Sequence, residues 1–105
     1  MGDHTTIVLT EAVYYILLSL TTPLHGYGIM QKTSQLSNGR LVISAGTLYG
    51  AINTLLDRGW IKQLIVAEES RRKEYVITED GKAVLRAELA RLHELVANGD
   101  AILNQ

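Results

Sequence analysis

Cysteine is absent from the 105 residues of the chain. Without a thiol there is no disulfide framework, no thiolate metal site and no cysteine nucleophile, and the absence fits a reducing compartment. Long hydrophobic runs are missing as well. The longest apolar stretch, Ile7 to Leu20, is broken by Thr10 and Glu11 and falls short of the roughly 20 apolar residues of a membrane span. No Lys or Arg precedes it and no small-residue cleavage site follows, which argues against a secretory signal. The expected location is the cytoplasm, with no membrane partner. An excess of positive charge is also lacking: 10 Lys and Arg face 11 Asp and Glu, a net charge of −1. The distribution matters more than the sum. No Lys or Arg occurs before Lys32, whereas Arg71, Arg72 and Lys73 stand consecutively, so a near-neutral chain can still gather positive charge on one face.

Catalytic and metal-binding patterns are missing too. No nucleophile elbow, phosphate-cradling glycine loop or convincing carboxylate pair is present, Gly26 and Gly28 forming only a weak pair. Glu68-Glu69 and Glu79-Asp80 read as adjacent charges in a turn and at a helix start. His4, His25 and His93 have no Asp or Glu cluster around them, so no metal site is expected. The chain is accordingly read as neither an enzyme nor a holder of any cofactor.

What is present is a hydrophobic fraction of 47%, enough for one core in a domain of this length, though small domains sit near the margin of stability. Part of that apolar surface is expected between subunits. There is no internal repeat, low-complexity tract or interior linker. Thr10 is a plausible N-cap for a first helix, with Glu11 in its first turn. Ala12, Val13, Ile16, Leu17 and Leu20 recur at helical spacing, while Tyr14, Tyr15 and Leu18 fall on other faces, the pattern of a helix buried on two sides. Pro23, the only proline, follows its end.

His25-Gly26-Tyr27-Gly28 opens a second helix that closes at Ser37-Asn38-Gly39, where Gly39 suits a left-handed cap. Leu41 to Ile43 is read as one short strand. Ser44 caps a third helix with Leu48, Ile52, Leu55 and Leu56 as its buried stripe, ended by Gly59. Trp60 to Ala67 and Lys73 to Ile77 read as two strands joined by the polar connector Glu68 to Arg72. Thr78 caps a last helix, with Val84, Leu85, Leu89, Leu92, Leu95 and Val96 as its stripe, and Asn98-Gly99 is expected to stop or bend it. The fold class is therefore mainly α with a small β-hairpin: a winged helix-turn-helix over residues 1–77, and a long C-terminal dimerisation helix over 78–105 packed on the same domain.

The pieces His25-Gly26-Tyr27, Gly46-Thr47-Leu48-Tyr49, Leu55 through Gly59-Trp60-Ile61, and Arg71-Arg72-Lys73-Glu74-Tyr75 with Ile77-Thr78 and Gly81 come in a set order. Together they resemble the PadR family of bacterial transcription regulators, from about Leu9 to Val96. No single piece is diagnostic, but the ordered set at these spacings is a strong signal. The resemblance implies a winged-helix dimer whose C-terminal helix pairs with the partner's first helix, and usually repression of nearby genes. With one C-terminal helix, the chain is similar to the compact branch of that family.

The third helix is the candidate recognition helix, since the N-terminal part of the second helix of such motifs enters the major groove. Ser44 and Thr47 offer hydroxyls, Ala45 and Gly46 permit close approach, and Tyr49 and Asn53 lie one and two turns further on. Against this stand a bare helix cap for Ser44, a packed aromatic for Tyr49 and a solvated face for Asn53. The helix carries no Lys or Arg until Arg58, although arginine to guanine is the commonest specific base contact. Specificity would then rest on hydroxyls, DNA shape or dimer spacing. Arg71, Arg72 and Lys73 at the returning strand are candidates for phosphate contacts, which supply affinity by counterion release; the opposing reading is a solvated tip offset by Glu68, Glu69 and Glu74. Many members of the family carry glycines in that connector and this chain does not, so its shape stays open. Tyr27 and Lys32 are further candidates for backbone phosphate, with core packing the other reading of Tyr27.

The long apolar stripe of the last helix needs a partner. A second copy supplies one, pairing Tyr14, Tyr15 and Leu18 with Leu85, Leu89, Leu92 and Val96. Drug-sensing relatives hold flat aromatic ligands between subunits, against an aromatic of this helix. The matching stretch here has Leu89, Leu92 and His93 and no aromatic, so a small-molecule inducer would be held by Tyr15 with these residues. The expected partners are thus double-stranded DNA, a second copy and an inducer. The main functional reading is a sequence-specific, homodimeric DNA-binding regulator acting as a repressor. The alternative is a winged-helix interaction module that binds protein and no DNA.

Overall fold

The computed structural model describes residues 7–65 and 73–105. Among these residues four helices and a three-stranded sheet follow one another as α1 (Glu11–Ser19), β1 (Leu24–His25), α2 (Gly26–Leu36), α3 (Ala45–Asp57), β2 (Ile61–Ile65), β3 (Lys73–Ile77) and α4 (Glu79–Leu103). This is mainly helical structure with a small antiparallel sheet.

Each long helix starts at a residue whose side chain satisfies an otherwise orphaned backbone N–H. Thr10 accepts from the Val13 N–H, Ser44 from Thr47 and Thr78 from Gly81, as a serine or threonine before a helical stripe predicts. The start of α2 is capped differently: His25 Nδ1 accepts from the Gly28 N–H at 2.9 Å. At the far end of α2 both Asn38 (φ 55) and Gly39 (φ 78) are left-handed, and Gly59 (φ 74) reverses the chain after α3.

The apolar stripes meet in one core. Ile16, Leu17 and Leu20 of α1 and its cap, Ile29 of α2, Leu48, Ile52 and Leu55 of α3, Ile61, Tyr75 and Ile77 of the sheet and Leu85 of α4 are all buried. Truncating such a side chain to alanine typically costs about 2–5 kcal/mol, so this cluster fixes how α3 is presented. The last helix packs on α1 and β3 through its first half only. Hydrogen bonds lock the sheet to the helices at one corner: Trp60 N–H donates to Leu55 O at 3.0 Å, Thr78 N–H to Trp60 O at 2.9 Å and Ile77 N–H to Leu20 O at 2.8 Å.

Two sequence expectations are corrected, and one strand is added. Leu41 to Ile43 is not a strand; the chain there is irregular, and its apolar character reflects Ile43 dropping into the core while Ser37 Oγ accepts from the Leu41 N–H. The third strand is instead Leu24–His25, which pairs antiparallel with β3 (Leu24 opposite Tyr75, His25 opposite Glu74) to give the order β1-β3-β2. Two residues carry no periodicity, so this strand is invisible in the pattern. Nor does Asn98-Gly99 stop α4, which continues to Leu103. One glycine costs a formed helix only about 1 kcal/mol, and adding residues to an existing helix is far easier than starting one. The hairpin expected from Trp60 onward is present over Ile61–Ile65 and Lys73–Ile77. Its connector, with Val66, Ala67, Arg71 and Arg72, lies outside the described residues. Among the described residues no helix is long and apolar enough to cross a membrane.

Candidate nucleic-acid interface

Helix α3 divides cleanly by period. Leu48, Ile52 and Leu55 face the core, while Ala45, Gly46, Thr47, Tyr49, Gly50, Asn53 and Thr54 are exposed. At its start the Ser44 hydroxyl does two jobs: it accepts from the Thr47 N–H at 3.2 Å and donates to Thr47 Oγ1 at 3.1 Å. The predicted pair Ser44 and Thr47 is therefore one hydrogen-bonded unit at the exposed N-terminal end of the helix, where backbone N–H groups and the helix dipole favour an anionic neighbour.

One turn on, a second group converges. An open concavity of about 720 Å³ is lined by His25, Gly26, Tyr27, Tyr49, Asn53, Lys73 and Tyr75. It brings together four of the predicted candidates, Tyr27, Tyr49, Asn53 and Lys73, from three elements. Tyr27 is 63% and Tyr49 46% exposed. Lys73 begins β3 and is exposed beside them, and Lys32 is exposed further along α2 without reaching this concavity. His25, Gly26 and Tyr75 also line it and were not singled out as binding residues. The signal for Tyr75 is its place in the strand alternation, which buries it at the sheet's helix-facing side. Burial, with the Tyr49 phenol nearby, pushes the Tyr75 phenol above the usual tyrosine range. A surface rich in hydroxyls and amides with a cation at its edge suits phosphate and base-edge contacts.

The predicted pairing face lies on α1 and α4. Leu85 is already buried in its own chain's core, and Tyr14 and Leu18 are partly buried against it. Leu89 (44% exposed) and Val96 (61%), with Leu95, Ile102 and Leu103, extend as uncovered apolar side chains along α4. Tyr14 and Tyr15 meet edge to face with ring centroids 6.1 Å apart. Between α1 and α4 lies a smaller concavity of about 320 Å³, lined by Leu9, Glu11, Tyr14, Tyr15, Glu88, Arg91 and Leu92. It joins Tyr15 with Leu92 from the predicted inducer set; Leu89 and His93 are exposed outside it.

Its floor is unusual, because Glu88 is 2% exposed. The buried carboxylate accepts from Arg91 Nε at 2.7 Å, from a second Arg91 nitrogen at 2.8 Å and from the Leu9 N–H at 3.1 Å. These donors, the guanidinium foremost, hold its carboxyl below the usual glutamate value despite the burial. Glu11 pairs with Arg40 at the rim, and that contact lowers its carboxyl likewise. Among the described residues no group of three His, Asp or Glu is placed to hold a metal ion.

Three helices leading into an antiparallel hairpin, with an exposed second motif helix and an appended long helix, define the winged helix-turn-helix class of DNA-binding proteins. The model of the transcriptional regulator PadR-like family matches residues 15–87, more than half of the chain, and the protein belongs to that family of DNA-binding transcription regulators. Solved structures agree. A PadR family transcriptional regulator from Eggerthella lenta is similar at 29% identity and a TM-score of 0.72, over 87% of this chain and 80% of that one. A transcriptional regulator from Clostridium thermocellum (23% identity, TM-score 0.73, 88% and 91% covered) and a PadR family regulator from Clostridium difficile (20%, 0.71, 89% and 97%) share the fold. No curated protein matches the sequence.

Proposed function

We propose that the protein acts in the cytoplasm as a homodimeric, sequence-specific repressor, with residues 1–77 binding DNA and the helix from residue 78 joining two copies. The observation that carries this reading is the exposed surface of α3, which presents Ser44 and Thr47 at its start and Tyr49 and Asn53 in one concavity with Tyr27 and Lys73. In this reading α3 of each subunit enters the major groove, Tyr27, Lys32 and Lys73 hold flanking phosphates, and Arg71 and Arg72 add to the same backbone contacts. Support for two copies comes from the uncovered apolar side chains Leu89, Leu95 and Val96, since soluble oligomers are most often symmetric dimers. The concavity containing Tyr15 and Leu92 is the place for a small-molecule inducer.

The test is retardation of the DNA upstream of its own gene over a range of salt concentrations. Binding that weakens steeply with salt is expected, and Arg71→Ala with Arg72→Ala should lower both affinity and salt slope. Unchanged binding by that variant at every salt concentration sinks the phosphate role of the connector.

One observation favours a second reading. Helix α3 has no Lys or Arg before Arg58, and Arg58 stacks on Trp60 with 5.0 Å from guanidinium to ring centroid. A face so poor in cations also suits a protein partner. Absence of any salt-dependent DNA binding, with retained folding, is the result that would favour that interaction module.

A further inference from the structure

We infer that Gly26 is a positioning residue for DNA recognition, keeping open the slot that aims the Tyr49 phenol. The inference rests on the reading that Tyr49 faces DNA, and goes beyond it by naming what sets the direction of that side chain.

Gly26 is the first residue of α2 and is buried. Its φ lies outside the left-handed region, where only Gly39 and Gly59 among the described glycines are found. The backbone therefore does not require glycine here, and within a helix alanine is the better residue by roughly 0.5–1 kcal/mol. The reason for glycine is space. A Cβ built on Gly26 would overlap Tyr49 Oη, lie 2.9 Å from Cζ and 3.5 Å from Cε1. These three nearest atoms all belong to Tyr49, so its ring edge and hydroxyl fill the volume of the missing side chain.

The slot cannot widen easily. Immediately before Gly26, Leu24 and His25 are tied to Tyr75 and Glu74 across the β1–β3 ladder. Two residues after it, the Gly28 N–H is bound to His25 Nδ1. Tyr49, by contrast, is half exposed, and a long aromatic side chain on an outer helix face would otherwise sample several rotamers. Gly26 lies against the phenol on one side, and Tyr75 lines the same concavity. A methyl group at position 26 must therefore evict the ring rather than move the backbone. Swinging the exposed end of a tyrosine outward is cheap for folding. It is costly for any contact that depends on where the hydroxyl stands, because pre-organisation is what such a contact gains from the slot.

The experiment is a double-mutant cycle of Gly26→Ala and Tyr49→Ala, measured by fluorescence anisotropy on a duplex enriched by the wild-type protein from a random pool. Thermal unfolding and NOEs between the Tyr49 ring and the Gly26 α-protons are recorded alongside. The expected result is that G26A keeps or raises the melting temperature and loses the contacts between the ring and residue 26. It then binds the duplex on the order of tenfold more weakly, as Y49A does. The double variant should match Y49A alone, since coupled residues are not additive.

If Y49A weakens binding and G26A binds like wild type, the inference is wrong while the reading of Tyr49 stands. If Y49A itself binds like wild type, the reading of Tyr49 falls and takes the recognition role of Gly26 with it; the NOEs then report only whether the slot aims the ring, and a ring still against residue 26 in G26A overturns that too. Should G26A fail to fold, the Y49A background has room for the methyl group. Recovery of folding there supports the slot, and continued failure overturns it.

Discussion

Replacing Gly81 by alanine should destabilise the protein, although it puts the best helix former into a helix. Gly81 is buried in the first turn of α4, where its N–H donates to Thr78 Oγ1 at 3.1 Å. A Cβ there would overlap the Trp60 carbonyl oxygen and stand 2.7 Å from Ile77 Cγ1 and 2.9 Å from the Trp60 carbonyl carbon. Unlike the tyrosine beside Gly26, the obstacle is backbone. Trp60 O is held by the Thr78 N–H and Trp60 N–H by Leu55 O, so the carbonyl cannot retreat without opening the corner where α3, the sheet and α4 join. Helix propensity favours alanine by about 1 kcal/mol, whereas overpacking that shifts backbone costs about 1–3 kcal/mol or more. Because the clash is with a hydrogen-bonded carbonyl, the upper part of that range applies, and a net loss of about 2 kcal/mol is expected. For a domain of this size that lowers the melting temperature by roughly 10 °C. Gly99→Ala, also in α4 but with nothing within 4 Å of the built Cβ, should instead stabilise slightly. Urea or thermal unfolding of both variants checks this. G81A as stable as wild type would refute the claim that the corner is rigid.

Other consequences can be measured as readily. The wild type should sediment as a dimer and Leu89→Glu with Val96→Glu as a folded monomer, because both side chains are uncovered within one chain; a wild-type monomer would remove the pairing proposal. Ser44→Ala should cost about 1 kcal/mol of stability through loss of the α3 cap, read from the unfolding midpoint. The Glu88 carboxyl is held low in the folded state, chiefly by Arg91. Its stabilising contribution is therefore present above the unfolded glutamate value of about 4.3 and is lost as pH falls through the lower folded value. The stability difference between wild type and Glu88→Gln should accordingly be full at neutral pH and shrink in acid, whereas a difference independent of pH would show that the charge is not what matters. The exposed Glu11–Arg40 pair should contribute little, as surface ion pairs do.

Residue chemistry made most of this architecture legible, and where it did not the reason is local. Helix starts were readable because a hydroxyl before a helical stripe can accept from an orphaned backbone N–H, and Thr10, Ser44 and Thr78 all cap. The faces of α3 followed from period alone. Leu24–His25 escaped because two residues carry no alternation and their partner lies some fifty positions away in β3. Leu41 to Ile43 misled because burial of one side chain and membership of a strand leave the same apolar trace. The convergence of Tyr27, Tyr49, Asn53 and Lys73 on one concavity needed the tertiary fold, as did the fit of Tyr49 over Gly26. The buried Glu88 was hidden too: in the sequence it is one more acid on the polar side of a leucine stripe, and only packing against Leu9 and Arg91 sets it apart.

The central proposal is that two copies of the exposed α3 face read DNA together. Selection of bound duplexes from a random pool by the purified protein tests it most directly. The account predicts enrichment of an inverted repeat with half-site centres one helical turn apart, roughly 10 base pairs. Recovery of a pool with no shared sequence, or of a single unrepeated site, would contradict it.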